Sequence, residues 1–327
     1  MIHRPVFVAG QERSGTSLMF ALLTSHPNIA MTRRTNLWRY FYGQFGDLRD
    51  DQSLDTCLDK MMRYKRLVVL QPNAEELRRE FLTGERTYGR LFALLEQQYA
   101  DRLGKPRWGD KSLDTERFAG PLFDAYPDAR IIHMVRDPRD RYASVETRWK
   151  VRRGGVGAGT AEWLSSVELA ERNCNRYGDK YLILRYETLV RSPEEVLRDI
   201  CEFIDERYAP EMLTMSGARS FRDQGSNSSY GSRDRGVIST DSVGRYREVL
   251  SPSQTRFIQH AARRPMETLG YEADERSLGP LRAARFALGD LPLEYSRMAA
   301  WRARASMHDR RGRALPAYRL VSPVGTA

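Results

Sequence analysis

Apolar residues along the chain follow two rhythms. Short β-branched or aliphatic runs at Pro5 to Ala9, Ala129 to Val135 and Tyr181 to Tyr186 are each followed by a longer stretch with helical spacing. This alternation predicts an α/β fold, with parallel strands joined by helical crossovers. Between the first two runs, the periodicity predicts helices over Leu54 to Arg66, Ala74 to Leu82 and Tyr88 to Leu103. In the last of these Leu91, Leu94, Leu95, Gln98 and Leu103 fall roughly on one face. Together they form a helical insertion, about residues 47–104, placed to shape a substrate side. A further helix is expected after Ser192-Pro193, with Val196, Leu197, Ile200 and Phe203 as its apolar face, and another from Ser251-Pro252 to Gly270. Residues 152–160 (RRGGVGAGT) and 217–244 are rich in Gly, Ser and Arg and read as loops. The second is long enough that a functional role is expected of it.

Composition narrows the picture. The chain of 327 residues is 41% hydrophobic and 29% charged, enough to bury one large core or two modest ones. Its longest apolar runs fall far short of the roughly 18–20 residues a bilayer span needs. No basic segment, apolar stretch and small-residue cleavage site follow Met1, so neither a secretion signal nor a transmembrane segment is expected and a cytoplasmic location is. Cys57, Cys174 and Cys201 are odd in number and far apart, unlike a disulfide framework. Of the 53 basic residues only six are lysine, and the formal charge is +10. Much of that charge lies in residues 276–327, where ten arginines face Asp290, Glu294 and Asp309. This basic C-terminal extension reads as a solvated appendage with a helix near Glu294 to Met307, its charge suited to an acidic surface. The preceding residues, 1–275, form the main domain.

Chemistry begins directly after the first strand, with Gly10-Gln11-Glu12-Arg13-Ser14-Gly15-Thr16-Ser17 leading into the helical run Leu18 to Leu23. Strand, glycine loop and helix in that order gather backbone N–H groups and a positive helix end around an anion. The spacing matches the phosphate-binding template GxxxxGK[ST] except that Thr16 stands in place of the lysine. Without that cation a triphosphate is poorly held, and Arg13 is the substitute within the loop. A second anion motif follows the strand Ala129 to Val135: Arg136-Asp137-Pro138-Arg139-Asp140-Arg141-Tyr142-Ala143-Ser144. Arg136 can fork onto a phosphate, and Ser144, two turns into a helix, can add a hydroxyl. The alternative at this level is that Arg136 merely pairs with Asp137 or Asp140.

A lysine-free phosphate loop, followed after roughly 120 residues by a strand ending in RDPRDxxxS, resembles the sulfotransferase family that uses 3′-phosphoadenosine 5′-phosphosulfate (PAPS). The resemblance continues through Trp108-Gly109-Asp110-Lys111-Ser112, Arg185-Tyr186-Glu187-Thr188-Leu189-Val190, Gly244-Arg245-Tyr246-Arg247 and Leu269-Gly270-Tyr271, and covers about residues 4–272. The first loop is most similar to that of the protein-tyrosine sulfotransferase branch. The resemblance implies a P-loop NTPase-like parallel sheet flanked by helices, with helical insertions. It implies that Arg13, Ser14, Gly15, Thr16 and Ser17 take the 5′-phosphosulfate, and that Arg136 and Ser144 take the 3′-phosphate. Lys111 becomes the second cation on the transferring group. Tyr186 and the 225–245 loop, with Arg233, Arg235 and Arg245, are candidates to close over the nucleotide.

The acceptor's base is where this chain departs from the family. The glutamate of the tyrosine-sulfating branch falls in Thr32-Arg33-Arg34-Thr35, and the histidine of the cytosolic branch falls on Leu113. Asp110, beside Lys111, is the nearest carboxylate on a motif and the candidate catalytic acid–base; Asp114 and Asp47 are its rivals, and orienting Lys111 is its alternative role. Arg33 and Arg34 point to an anionic acceptor, while the acceptor class stays open among small molecule, glycan, lipid and peptide. His26 reads as a capping or core histidine. No metal-ligand spacing appears, so no metal is expected. Competing readings are a P-loop kinase, which lacks its lysine, a relative that binds nucleotide without transfer, and a nucleic-acid binder. No specific nucleic-acid partner is expected, because no motif of that class occurs.

Overall fold

A computed structural model describes residues 4–148, 154–224, 238–276, 278–311 and 315–321. The three expected strands are present as β1 (Val6–Ala9), β4 (Arg130–Val135) and β5 (Tyr181–Arg185), and two more, β2 (Ile29–Arg33) and β3 (Arg107–Lys111), join them. All pair in parallel in the order β2-β3-β1-β4-β5. β1 is buried throughout because a parallel central strand is covered on both faces. Phe7, Ala9, Ala30 and Trp108 meet one layer of helices, and Val6, Val8, Ile29 and Met31 the other.

β3 was hard to read because its sequence, RWGDK, is mostly polar. The surrounding structure satisfies it. Arg107 donates to the carbonyls of Arg4 and Ile204 at 2.5 Å each, and a Cβ on Gly109 would stand 2.4 Å from the Val6 carbonyl. β2 is held at its start by Lys105, whose Nζ donates to the carbonyls of Thr24, His26 and Ile29 at 2.8–2.9 Å. Thr24 ends helix α1 (Thr16–Thr24) and His26 lies just past its C-cap Ser25, where free carbonyls attract a cation.

The inserted helices α2 (Asp51–Arg63), α3 (Ala74–Leu82) and α4 (Tyr88–Arg102) follow the predicted periodicity and pack on the Phe7 face. Asp50, Asn73 and Thr87 cap them, each accepting a backbone N–H of the first turn. The expected helix at 251–270 is two, Pro252–Ala261 with a Ser251/Gln254 capping box, and Arg263–Thr268.

Two expectations are corrected. Residues 155–160 are not a loop: they begin the long helix α6 (Gly155–Tyr177), while α5 (Pro138–Arg148) precedes it. Its glycines are spacers, since a Cβ on Gly157 would lie 2.1 Å from the Glu294 carbonyl and one on Gly159 2.4 Å from the Tyr142 ring. The partner across that contact is α7 (Leu291–Arg311). The C-terminal helix is therefore no solvated appendage: Phe286 and Met298 are buried with Trp163 and Phe257 in a third core, and Glu294 accepts the Gly157 N–H at 2.8 Å. A π-turn at Phe286–Asp290 precedes α7, where Pro292 can offer no N–H to the carbonyl four residues back. Of the 217–244 segment, a short helix occupies Arg219–Asp223, and residues 225–237, including Arg233 and Arg235, lie outside the described residues. Among the described residues no helix is long and apolar enough to cross a membrane.

Candidate active site

The C-terminal ends of β1, β3 and β4 converge where the strand order switches direction, the usual ligand position of an open α/β sheet. The loop after β1 turns through left-handed backbone at Gly10, Arg13 and Gly15. Gly15 can be nothing larger, because its Cβ would meet the Tyr186 ring at 2.4 Å. α1 starts at Thr16, so Thr16 and Ser17 offer the unpaired N–H groups of a helix N-terminus. Two arginines of the second motif pin the loop: Arg136 Nη1 donates to the Arg13 carbonyl at 3.2 Å, and Arg141 Nε to the Glu12 carbonyl at 3.2 Å. Arg13 in turn donates through Nε to Ser144 Oγ at 2.9 Å. Residues 131 positions apart thus meet, and the two anion motifs form one site.

Arg136 is buried and faces no acidic partner within ion-pair distance among the described residues. Asp137 is taken by Arg139 at 2.6 Å, and Asp140 accepts the backbone N–H groups of Gly244 and Tyr246 at 2.6 and 2.8 Å. Burial lifts the Asp140 carboxyl to about 6, against the pull of Arg136. Arg136 instead donates to the Ser242 carbonyl at 2.6 Å and stacks over Tyr186 with 4.6 Å to the ring centre, while its buried Nε has no hydrogen-bond partner. Tyr186 Oη and Ser242 Oγ lie 2.8 Å apart. By hooking residues 244–246, Asp140 brings Arg245 into a narrow cleft with Arg136, Ser144 and Ser242. From the sequence Asp140 reads only as a possible partner of Arg136 and Arg141 only as a member of RDPRDxxxS, while Ser242 carries no signal.

On the other side of the loop lie Lys111, Arg33 at the end of β2 and Arg34 just past it. Arg33 and Lys111 are register partners on adjacent strands and so share a face, and the Arg34 N–H donates to the Lys111 carbonyl at 2.8 Å. Burial, with Arg34 adding to it, depresses Lys111 to about 8. Arg34 is itself lowered by burial and by the neighbouring charges of Arg66 and Arg33. Asp110 has the opposite orientation. It is sealed under the α4 layer, where Thr32 Oγ1 lies 2.9 Å from Asp110 and 3.0 Å from Glu96. Asp110 is also hydrogen-bonded to the Ser112 and Thr35 side chains, while Glu96 Oε2 has no partner among the described residues. Burial and the Asp110 charge raise Glu96 well above its ordinary value. His26 is structural, its ring nitrogens engaged by the Arg207 carbonyl at 2.9 Å and the Asn28 N–H at 3.1 Å.

With this geometry in view, comparison with known proteins places the chain in a class. A profile of the sulfotransferase family matches residues 5–210, and the chain belongs to that family. It is similar to protein-tyrosine sulfotransferase A of Caenorhabditis elegans, 25% identical over 217 residues covering 64% of this chain and 51% of that one. It is also similar to the protein-tyrosine sulfotransferase of Drosophila melanogaster, 25% identical over 61% of this chain and 38% of that one. The chain thus spans about half or less of the length of these relatives. In fold it resembles the sulfotransferase domain of the Synechococcus PCC 7002 olefin synthase, with a TM-score of 0.57 at 19% identity over 83% of this chain and 97% of that one.

Proposed function

We propose that the protein transfers the sulfuryl group of PAPS to a hydroxyl or amine of an acceptor. The observation that carries this reading is the junction of the lysine-free loop with Arg136 and Ser144 at one strand-end crevice, with a buried guanidinium nitrogen left unpartnered. In this reading the Gly15–Ser17 backbone and Arg13 hold the 5′-phosphosulfate, and Arg136, Ser144 and Arg245 hold the 3′-phosphate. Lys111 meets the charge that develops on the transferring group and leaving oxygen. Tyr186 and the 242–246 segment wall the nucleotide side. The reaction is an in-line displacement in which positioning and electrostatics dominate.

The cluster of Arg33, Arg34, Arg66 and Lys111 beside the loop favours an anionic acceptor, whether small molecule, glycan, lipid headgroup or acidic peptide. The tyrosine acceptor in the names of the curated relatives is one member of that group. Arg282, Arg285, Arg302 and Arg304 stay exposed on the C-terminal helices, suited to an acidic surface. The three free cysteines accord with a reducing, cytoplasmic setting.

The test is thermal stabilisation by adenosine 3′,5′-bisphosphate (PAP) compared with ATP and magnesium. A ligand at a hundredfold excess over its Kd stabilises the native state by about 2.7 kcal/mol. PAP is expected to raise the melting temperature of the wild type, and Arg13→Ala and Arg136→Ala to abolish the rise. Stabilisation by ATP with magnesium and not by PAP would return the loop to a kinase.

A further inference from the structure

Helix α2 ends at Arg63, and Tyr64 after it is extended before the chain turns helical again at Lys65. Such a break leaves the Arg63 carbonyl without a helical partner, and the segment 315–321 supplies one. The Val321 N–H donates to the Arg63 carbonyl at 2.8 Å, and Leu320 pairs with Tyr64 as an antiparallel bridge. Arg63 Nε donates to the Val321 carbonyl at 3.3 Å, and Lys65 Nζ to the Tyr318 carbonyl at 2.8 Å. Leu315 and Leu320 pack on the first core. The Arg319 guanidinium sits 5.1 Å from the centre of the Tyr40 ring, which meets the Tyr64 ring edge-on. Residues up to 258 positions apart are thus locked together.

The Tyr64 side chain carries this contact inward to the strand-end site. It is fully buried, and its Oη accepts from Asn36 Nδ2 at 3.0 Å and donates to the Arg34 carbonyl at 3.4 Å. Arg34 and Asn36 both have left-handed backbone, with φ of 59° and 49°. A residue with a side chain keeps that conformation only where its surroundings impose it. Here two sides impose it. From β3, Ser112 Oγ accepts the Asn36 N–H and the Lys111 carbonyl accepts the Arg34 N–H, each at 2.8 Å; Tyr64 closes the other side.

We propose that Tyr64 and the 315–321 segment behind it are positioning elements of the acceptor side, holding the 34–36 turn against Lys111 so that turnover of PAPS, and not its binding, depends on them. This role in turnover rests on the sulfuryl-transfer reading above. Tyr64 acts through the main chain of Arg34 and Asn36, and the 315–321 segment acts through Tyr64.

The experiment uses the full chain as wild type and Tyr64→Phe, and a chain ending at residue 314 with and without a synthetic peptide of residues 315–327. Amide hydrogen exchange at Arg34 and Asn36, kcat and KM for radiolabelled PAPS with 2-naphthol or water as acceptor, and the PAP-induced rise in melting temperature are followed together. In Tyr64→Phe and the shortened chain, exchange at the two N–H groups should rise about tenfold or more. Their kcat should fall about 10–100-fold with KM for PAPS unchanged, and PAP should still stabilise both. The peptide should restore protection and kcat to the shortened chain and leave Tyr64→Phe as it was. Wild-type exchange at both N–H groups in Tyr64→Phe overturns the proposal. So does a loss of PAP stabilisation in that variant together with its turnover, the mark of a merely structural residue. If the shortened chain does not fold, Tyr64→Phe decides by itself. A wild type that binds PAP but turns over no PAPS with either acceptor overturns the role in turnover, and exchange then decides whether the segment holds the turn. If PAP stabilises not even the wild type, the sulfuryl-transfer reading falls, while the exchange result still decides the hold on the turn.

Discussion

Lys111 shows how a single residue is tuned by its setting. A lysine at the end of a strand, half-buried beside Arg34, holds its proton less firmly than in water, with a value of about 8. Because the role proposed for it needs the cation, transfer should fall as pH rises through about 8, where the ammonium is lost. Lys111→Arg, whose charge persists, should remove that decline while keeping much of the rate. Lys111→Met should lose about 10²–10³-fold at all pH values, the loss seen when one donor to a developing oxyanion is removed. A pH profile of PAPS turnover for the three proteins checks all of this. The phosphate loop itself was legible residue by residue, because backbone N–H groups and glycine spacing form a local motif. Asp110 was legible only as a carboxylate near a lysine. Which face of β3 it takes depends on strand pairing.

At the scale of elements, α6 is the instructive case. Glycines lower helix propensity by about 1 kcal/mol each, so RRGGVGAGT reads as a loop until α7 is known to cross it. The crossing needs the missing side chains. Gly157→Ala should therefore destabilise the protein by about 1–3 kcal/mol despite alanine's better propensity, because its Cβ meets the Glu294 carbonyl. Gly120→Ala is the contrast: it lies in the helix Ala119–Ala125 with only Tyr177 Oη at 3.5 Å, and should be neutral or stabilising. Urea midpoints of both variants at constant m decide it. β2 and β3 were missed for a related reason. β2, IAMTR, has no run of β-branched or aliphatic residues and β3 is polar, and both depend on distant partners, Lys105, Arg4 and Ile204, for their satisfaction.

For the whole molecule, the C-terminal segment completes the third core. Phe286 and Met298 share a core with Trp163, Phe257 and Tyr246, and burying each such side chain contributes about 1.5–3 kcal/mol. A chain ending at residue 275 should lose several kcal/mol, with a lower urea midpoint and a weaker response to PAP through α5 and α6. A wild-type midpoint would mean that residues 276–327 are a separable extension. The sequence by itself determined the α/β class, the strands built on β-branched or aliphatic runs, the helices with clear periodicity, the phosphate loop and the RDPRDxxxS motif, because each is written in near-neighbour spacing. Only the tertiary structure decided that Arg13 meets Ser144, that Asp140 docks residues 244–246, that Asp110 turns inward while Lys111 turns to the loop, and that the basic C-terminal helix is a wall of the core. Those outcomes depend on contacts between residues 78 to 137 positions apart, where desolvation and packing, not local preference, set the free energy.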